Sequence, residues 1–272
     1  MNHVILGCGY IGTALLKHWK SCQQHVIATT RSREHQQKLA AITPEAKQLR
    51  GSDRAALQEL LAEADRIVIC VAPSNRESYQ ATYLDTASAL SGVLPSCPTV
   101  TQLVYTSATS VYGCRNGNWV AEDSTLSPIG ENGKVLCRTE EIYLSHLPKH
   151  IAPTVLRLGG IFGPGRELTQ RARYLAGKRA SGSGDTFCNL AHQEDIVRAI
   201  DWVIEHHLTG IYNICGDDHP TRRELYSPIL QQMGLPAIEW DPTQVGPHSG
   251  NKRVSNQKIK DTGFCFLHRC RA

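Results

Sequence analysis

The feature that most constrains the fold is an alternation of short apolar runs with longer amphipathic segments along the first 160 residues or so. Strand-sized runs such as HVILG (3–7), HVIATT (25–30) and RIVICVA (66–72) are each followed by a segment with helical spacing of apolar residues. Continuous apolar strands separated by helices are typical of a parallel sheet that is covered on both faces. The sequence therefore predicts an α/β fold of the doubly wound type.

Length and charge limit the classes of protein that fit this pattern. The chain has 272 residues, enough for one large α/β domain with a smaller lobe. Its formal net charge is only +4 and its basic residues are scattered, which argues against a nucleic-acid partner. Its apolar runs are too short to span a bilayer, and the N-terminal residues lack the features of a signal peptide. We therefore expect a cytoplasmic protein with no membrane partner.

The ten cysteines are spread singly along the chain. There is no CxxC pair and no closely spaced set of cysteines and histidines of the kind that binds zinc. The pattern favours reduced thiols in a cytosolic protein and predicts no metal site.

The stretch GCGYIG supplies the first chemical signal, because it follows the first predicted strand and opens the first predicted helix. Gly7 allows a tight turn, Gly9 lets the backbone approach a pyrophosphate, and Gly12 lets helix and strand pack closely. Backbone N–H groups and the helix dipole favour the phosphates. A glycine-rich turn without a ligand is the alternative, but the position favours a dinucleotide site.

The end of the second predicted strand indicates which dinucleotide binds. A site for NAD usually has Asp or Glu there, whereas this chain has Thr30 followed by Arg31. The Arg31 guanidinium offers a planar set of donors for a 2′-phosphate. The alternative is a solvated basic loop. We expect NADP to be preferred over NAD.

Five stretches together give the chain a family resemblance. The stretches are GCGYIG (7–12), LVYTSATSVYG (103–113), VLRLGGIFGPGR (155–166), NLAHQEDIVRAI (189–200) and GIYNICGDD (210–218). With them the chain resembles the extended short-chain dehydrogenase/reductases of the NAD-dependent epimerase/dehydratase group, and its GxGxxG spacing in place of GxxGxxG is similar to atypical, YeeZ-like members.

The resemblance implies a Rossmann-type doubly wound parallel sheet with a smaller C-terminal substrate lobe. We expect the NAD(P)-binding domain at 1–160 and the lobe mainly at 161–272, with helices and a strand of 195–234 returning to the Rossmann sheet. The expected cofactor-binding residues are Gly7, Gly9, Tyr10, Ile11, Gly12, Thr30, Arg31, Ser32, Asp53, Ala72 and Lys134.

The catalytic residues of the family are only partly present. The resemblance implies a Tyr acid/base, a Lys that binds the nicotinamide ribose, and a Ser or Thr. Lys134 matches the lysine, but Gly130 stands at the tyrosine position and Ala108 at the Ser/Thr position. Tyr112 and Ser107 are substitutes to consider, although packing is the more common role of such residues.

The segment after residue 163 suggests an anionic small-molecule substrate, because it is rich in arginine and lysine where the family builds its substrate pocket. Arg166 and Arg173 are the candidates, and a basic surface face is the alternative. Two functions remain open. One is an NADP-dependent oxidoreductase or epimerase-like enzyme acting on a nucleotide-sugar-like or other anionic molecule. The other is a non-catalytic dinucleotide-binding redox sensor or scaffold. A homodimer is an open alternative to a monomer.

Overall fold

The structure is a computed structural model that describes residues 1–74, 78–244 and 250–269. Its central element is a seven-stranded parallel sheet with the order β11-β7-β5-β4-β1-β2-β3. The strands are β1 (Asn2–Leu6), β2 (His25–Thr30), β3 (Ala46–Gln48), β4 (Arg66–Ile69), β5 (Gln102–Ala108), β7 (Ala152–Leu158) and β11 (Gly210–Ile214). This arrangement confirms the predicted doubly wound α/β fold.

The sheet forms around β1, which is paired in parallel with β2 on one side and with β4 on the other. The chain therefore proceeds from β1 to β2 and β3 and then crosses to β4. This reversal of direction is the topological switch point of an open α/β sheet. Ligands of such sheets bind there, beyond the carboxyl ends of the strands. The stretch GCGYIG begins directly after β1, so the fold positions it at this point.

Contacts divide the chain into two compact units, and the first comprises 1–108, 130–157 and 197–211. Its core joins buried side chains of the sheet, such as Ile67 and Leu103, to Leu57 and Leu90 of the helices. The helices in its ranges are α1 (Tyr10–Ser21), α2 (Arg33–Ala40), α3 (Arg54–Leu61), α4 (Asp85–Val93) and α5 (Gly130–Ser145). A π-helical turn, Gln80–Leu84, precedes α4, and a 3-10 turn, Leu94–Ser96, follows it.

The second unit comprises 109–129, 158–196 and 212–272. It contains three small parallel pairs of strands. They are β6 (Trp119–Val120) with β13 (Arg253–Val254), β8 (Gly160–Phe162) with β10 (Leu190–His192), and β9 (Arg179–Ser181) with β12 (Glu239–Asp241).

The described helices of this unit are α6 (Leu168–Leu175), α8 (Arg222–Gln232) and α9 (Gln257–Lys260), with a 3-10 turn at Thr109–Tyr112. Helix α7 (Gln193–Glu205) begins in this unit, and its residues from 197 onward belong to the first. A second core packs Leu225, Ile229 and Leu230 of α8 against Ala172 of α6. The contact division places 109–129 in this unit, whereas the sequence boundary at residue 160 assigned it to the first domain. Within the described ranges, no helix has the length and apolarity needed to cross a membrane.

Candidate functional site

The turn after β1 can be built only with glycine at two of its three glycine positions. Gly7 has φ +96°, and a Cβ there would lie 2.9 Å from the backbone of Val71. A Cβ on Gly12 would fall against the Gly7 carbonyl oxygen and 3.1 Å from Cγ2 of Ile5. At Gly9 nothing lies within 4 Å of the added atom, so the backbone there is open to a ligand. The turn therefore has the shape that a pyrophosphate requires.

The residues next to this turn fix its position. Gly9 is the N-cap residue of α1, the Gly7 N–H donates to the Thr29 hydroxyl at 3.0 Å, and the Cys8 carbonyl contacts the His35 ring nitrogen Nε2 at 2.7 Å. Tyr10 and Ile11 are the first two residues of α1. The contact of His35 with the turn could not be predicted from the sequence, because it brings α2 against a loop 27 residues away.

The predicted cofactor residues after β2 lie in one short loop that ends at α2. Ser32 is the N-cap residue of α2, and its Oγ accepts the His35 N–H at 3.3 Å. Burial and then the positive charge of Arg50 lower the pKa of Arg31. Arg50 follows β3 in the chain and was not among the predicted site residues. Two guanidinium groups therefore lie near the end of β2, where the sequence indicated one.

Two further predicted cofactor residues lie at the ends of neighbouring elements. Asp53 is the N-cap residue of α3, where its Oδ1 accepts the Ala56 N–H at 3.1 Å. The structure thus gives its carboxylate a role in beginning a helix. Ala72 is exposed and follows β4. Its position beyond the carboxyl end of β4, next to β1, agrees with the switch point.

The start of α5 explains why the chain has glycine at the tyrosine position. Gly130 is the first residue of α5 and has φ +74°, a left-handed conformation that costs a non-glycine residue about 1–2 kcal/mol. The space around it is open, since a Cβ there would meet nothing within 4 Å. Lys134 lies one turn later, and its Nζ contacts Oε1 of Glu131 at 2.6 Å. A ribose role for Lys134 stays a prediction and would require this exposed ion pair to open.

Ser107 belongs to a buried polar network. Its Oγ donates to Oε1 of Glu140 at 2.5 Å, and Nη2 of Arg157 donates to Oε2 of Glu140 at 2.7 Å. The side chains of Glu140 and Arg157 are each only 2% exposed. The network joins the ends of β5 and β7 to α5, and the Ser107 hydroxyl is occupied in it. The geometry favours a structural role for Ser107 over a catalytic one.

Tyr112 also forms a buried hydrogen bond, and both of its partners belong to the second unit. Its side chain is 0% exposed, and its hydroxyl donates to Oδ1 of Asn213 at 2.8 Å. The Asn213 backbone N–H in turn donates to Oε1 of Glu122 at 2.7 Å. This arrangement favours the packing role of Tyr112 that the sequence analysis kept open.

The two arginines predicted to bind substrate, Arg166 and Arg173, are both exposed. Two other arginines of the same unit are partly buried and held in place. Nη2 of Arg171 donates to the Ile161 carbonyl at 2.7 Å, and Nη1 of Arg222 donates to the Ser181 carbonyl at 2.6 Å. Arg222 also lies 4.6 Å from the ring centroid of Trp240. Burial raises the pKa of the Cys188 thiol to about 11, and the positive charges of Arg222 and Arg171 partly offset this rise.

A cavity of about 370 Å³ also lies in the second unit. Its wall includes the ring of Trp119, which is 54% exposed, and Arg253 is stacked 5.0 Å from the centroid of that ring. The lining residues are Trp119, Val120, Ala121, Ser124 and Ser255. None of them is charged, so the cavity suits a neutral or aromatic group better than a phosphate.

The geometry of the turn after β1 agrees with the comparison to known families. The sequence profile of the NAD dependent epimerase/dehydratase family matches residues 4–215, which is most of the chain. The chain belongs to this family. The predicted family resemblance is therefore confirmed. A curated relative, Protein YeeZ of Escherichia coli (strain K12), is 34% identical over 183 residues. That alignment covers 65% of this chain and 62% of the relative, slightly less than two thirds of its length.

Solved structures of other proteins share the fold over almost the whole chain. A conserved protein of unknown function from Silicibacter pomeroyi is 22% identical with a TM-score of 0.81, and the match covers 99% of this chain and 95% of that one. The dTDP-glucose 4,6-dehydratase of Bacillus anthracis, solved in complex with NAD, is 20% identical with a TM-score of 0.78 and coverages of 96% and 89%. MoeE5, solved with UDP-glucuronic acid and NAD, is 17% identical with a TM-score of 0.82 and coverages of 98% and 94%. At these identities the likeness establishes the fold alone.

Proposed function

We propose that this family member binds NADP(H) at the turn after β1 and acts as an oxidoreductase or epimerase-like enzyme on an anionic, nucleotide-sugar-like molecule. The observation that carries the proposal is the glycine turn at the switch point of the sheet, where Gly7 and Gly12 are sterically required and Gly9 leaves the backbone open. The bound nicotinamide would supply or accept the hydride. The residues of the chain that would hold the dinucleotide are the turn itself, the loop after β2, and Lys134.

The preference for NADP is supported by charge at the end of β2. Thr30 stands where an acid would accept the ribose hydroxyls of NAD and repel a 2′-phosphate. Arg31 and Arg50 together place two guanidinium groups near that point, close enough for one to lower the pKa of the other. A phosphate dianion would be attracted by both.

The proposed substrate class is supported by the second unit and by the solved relatives. Arg171 and Arg222 are each positioned by a backbone carbonyl, and Arg166 and Arg173 add exposed positive charge. Such a set suits a diphosphate. Two of the structural relatives are described with a dTDP-sugar activity and with UDP-glucuronic acid. We propose a related nucleotide-sugar-like anion for this chain.

A second candidate function is binding of the dinucleotide without catalysis, in a redox sensor or scaffold. It is favoured by Gly130 and Ala108, because neither can transfer a proton or hydrogen-bond the reacting oxygen. The two substitutes, Tyr112 and Ser107, are both engaged in buried hydrogen bonds. A missing acid/base costs roughly 10²–10⁴-fold in rate. We therefore expect slow turnover if the protein is an enzyme.

The cofactor proposal is tested by calorimetric titration of the purified chain with NADPH and with NADH. NADPH should bind more tightly. Losing a charge-assisted contact costs about 1.5–3 kcal/mol, so Arg31→Ala should weaken NADPH binding by roughly 10- to 150-fold and leave NADH nearly unchanged. Arg50→Ala should act in the same direction. Arg54→Ala is the matched control. It also removes one arginine, but the Arg54 guanidinium lies near Gly92 of α4 and is not one of the two guanidinium groups proposed to bind the 2′-phosphate.

Equal affinities for the two dinucleotides, or an Arg31→Ala protein that keeps its NADPH preference, would contradict the cofactor assignment. Turnover is tested separately with a panel of nucleotide sugars and NADP, followed by nicotinamide absorbance and by chromatography of the sugar products. Ordinary family rates would show that another residue supplies the proton. The proposal also includes a cytoplasmic location and leaves a homodimer open, which cell fractionation and light scattering would test.

A further inference from the structure

Three side chains from two distant parts of the sequence meet in the second unit. They are His192 at the end of β10, Glu194 in the first turn of α7, and His268 near the C-terminus. One ring nitrogen or carboxylate oxygen from each lies within 4.8 Å of the others. None of them is needed for the cofactor or substrate roles proposed above.

The fold holds the two imidazoles against each other. The rings of His192 and His268 are stacked with centroids 3.5 Å apart, and Phe162 of β8 packs on His192 with its ring edge at a centroid distance of 5.0 Å. Hydrogen bonds to Asp195, whose side chain is buried, fix the position of the segment that carries His268. The two carboxylate oxygens of Asp195 accept the backbone N–H groups of Leu267 at 2.8 Å and His268 at 3.0 Å.

The charges of the cluster suit metal ligation. Nε2 of His268 contacts Oε2 of Glu194 at 2.8 Å, so an imidazole and a carboxylate already share one site. Neutral imidazole and ionised carboxylate are the protonation states in which these side chains bind metals.

We propose that His192, Glu194 and His268 form a binding site for a divalent transition-metal ion, with Zn²⁺ as the best-fitting ion. Two histidines and one carboxylate are a known protein donor set for zinc, with water as the fourth ligand. Bond lengths of about 2.0–2.2 Å place tetrahedral donors roughly 3.3 Å apart. Donors that lie as far as 4.8 Å apart must therefore approach by roughly 1.5 Å, whereas His268 Nε2 and Glu194 Oε2, at 2.8 Å, are already closer than this spacing. The Glu194 side chain is 57% exposed, so it can rotate to make these adjustments. On binding, the Nε2 proton between His268 and Glu194 moves to the other ring nitrogen or leaves to solvent.

The consequence of such an ion would be structural. Because His268 lies 74 residues from Glu194 in the sequence, the metal would join the C-terminal segment to the corner between β10 and α7. An ion that binds only this folded arrangement stabilises it by mass action. The segment 264–269 should then be better protected from solvent exchange when the ion is present.

The test is a calorimetric titration of the chelator-treated full chain with Zn²⁺. We expect one ion per chain, and binding weaker by at least about tenfold in Glu194→Gln and in His268→Gln. The matched control is His25→Gln, since His25 forms a His–Glu pair with Glu45 at 3.0 Å but lies outside the cluster. Circular dichroism confirms that each variant is folded, and hydrogen exchange of 264–269 should slow when Zn²⁺ is added to the wild type alone.

A titration with Co²⁺ distinguishes this site from the exposed thiols Cys22, Cys114 and Cys265, because a cobalt–thiolate bond has a characteristic charge-transfer absorption. The proposal predicts saturable Co²⁺ binding without that band. It is overturned if the wild type shows no saturable binding. It is equally overturned if both variants bind like the wild type, if His25→Gln weakens binding as much as they do, or if the thiolate band appears.

Discussion

Replacing Glu140 with glutamine would leave the Arg157 guanidinium charged at a place where only 2% of its side chain is exposed. In the wild type the carboxylate accepts hydrogen bonds from Ser107 Oγ at 2.5 Å and from Arg157 Nη2 at 2.7 Å and Nε at 3.1 Å. The glutamine amide would present an NH₂ group to at least one of these donors. Loss of two hydrogen bonds to a charged group costs about 3–6 kcal/mol, which agrees with about 3–5 kcal/mol for breaking a buried ion pair.

The measurement is urea unfolding followed by far-ultraviolet circular dichroism. A loss of about 3–5 kcal/mol is a large part of the about 5–15 kcal/mol that stabilises a typical domain, so the midpoint should fall sharply. The matched control is Glu34→Gln, which removes the same carboxylate from an exposed pair with Lys38 on α2. The urea midpoint of Glu34→Gln should stay close to that of the wild type, because solvent screens the charges of exposed ion pairs.

A second variant separates the cost of the unpaired charge from the value of the pair. In Glu140→Leu with Arg157→Met no buried charge is left, so the double variant should be more stable than Glu140→Gln. A Glu140→Gln protein that is no less stable than Glu34→Gln would refute this account of the network. A double variant that is less stable than Glu140→Gln would show that the ion pair itself, and not the unpaired arginine, determines the stability.

Three further predictions concern individual residues. Gly12→Val should abolish NADPH binding while circular dichroism stays normal, because its side chain would press on the Gly7 carbonyl; retained binding in calorimetry would show that the glycine motif is only a turn. Gly130→Tyr should destabilise the chain by about 1–2 kcal/mol in urea unfolding, since φ there is +74°. Combined with Ala108→Ser, it should raise turnover on the nucleotide-sugar panel, and unchanged turnover would argue for the non-catalytic function. Thr221→Ala should cost about 0.5–2 kcal/mol in the same unfolding assay, because it removes the capping box of α8; an unchanged midpoint would contradict this.

The sequence by itself determined the doubly wound parallel sheet and the family. These follow from local patterns: apolar runs of strand length, helical spacing between them, and glycines at fixed offsets after the first strand. The three predicted strands at 3–7, 25–30 and 66–72 agree with β1, β2 and β4 within a few residues. The family stretch VLRLGGIFGPGR contains the end of β7 and the separate short strand β8. Only Gly159 lies between them, and a Cβ there would lie 2.6 Å from the Asn189 carbonyl oxygen.

Only the tertiary structure decided which polar side chains meet. The sequence indicated Arg31 as a candidate for binding the 2′-phosphate. Arg50 lies near Arg31 only because β3 pairs with β2. Ser107 was a candidate substitute for the catalytic hydroxyl, but in the structure its hydroxyl donates to Glu140, 33 residues away in the sequence. The sequence predicted no metal site, because His192 and Glu194 are separated from His268 by more than 70 residues. Such sites depend on contacts between elements far apart in the chain, and no local spacing encodes them.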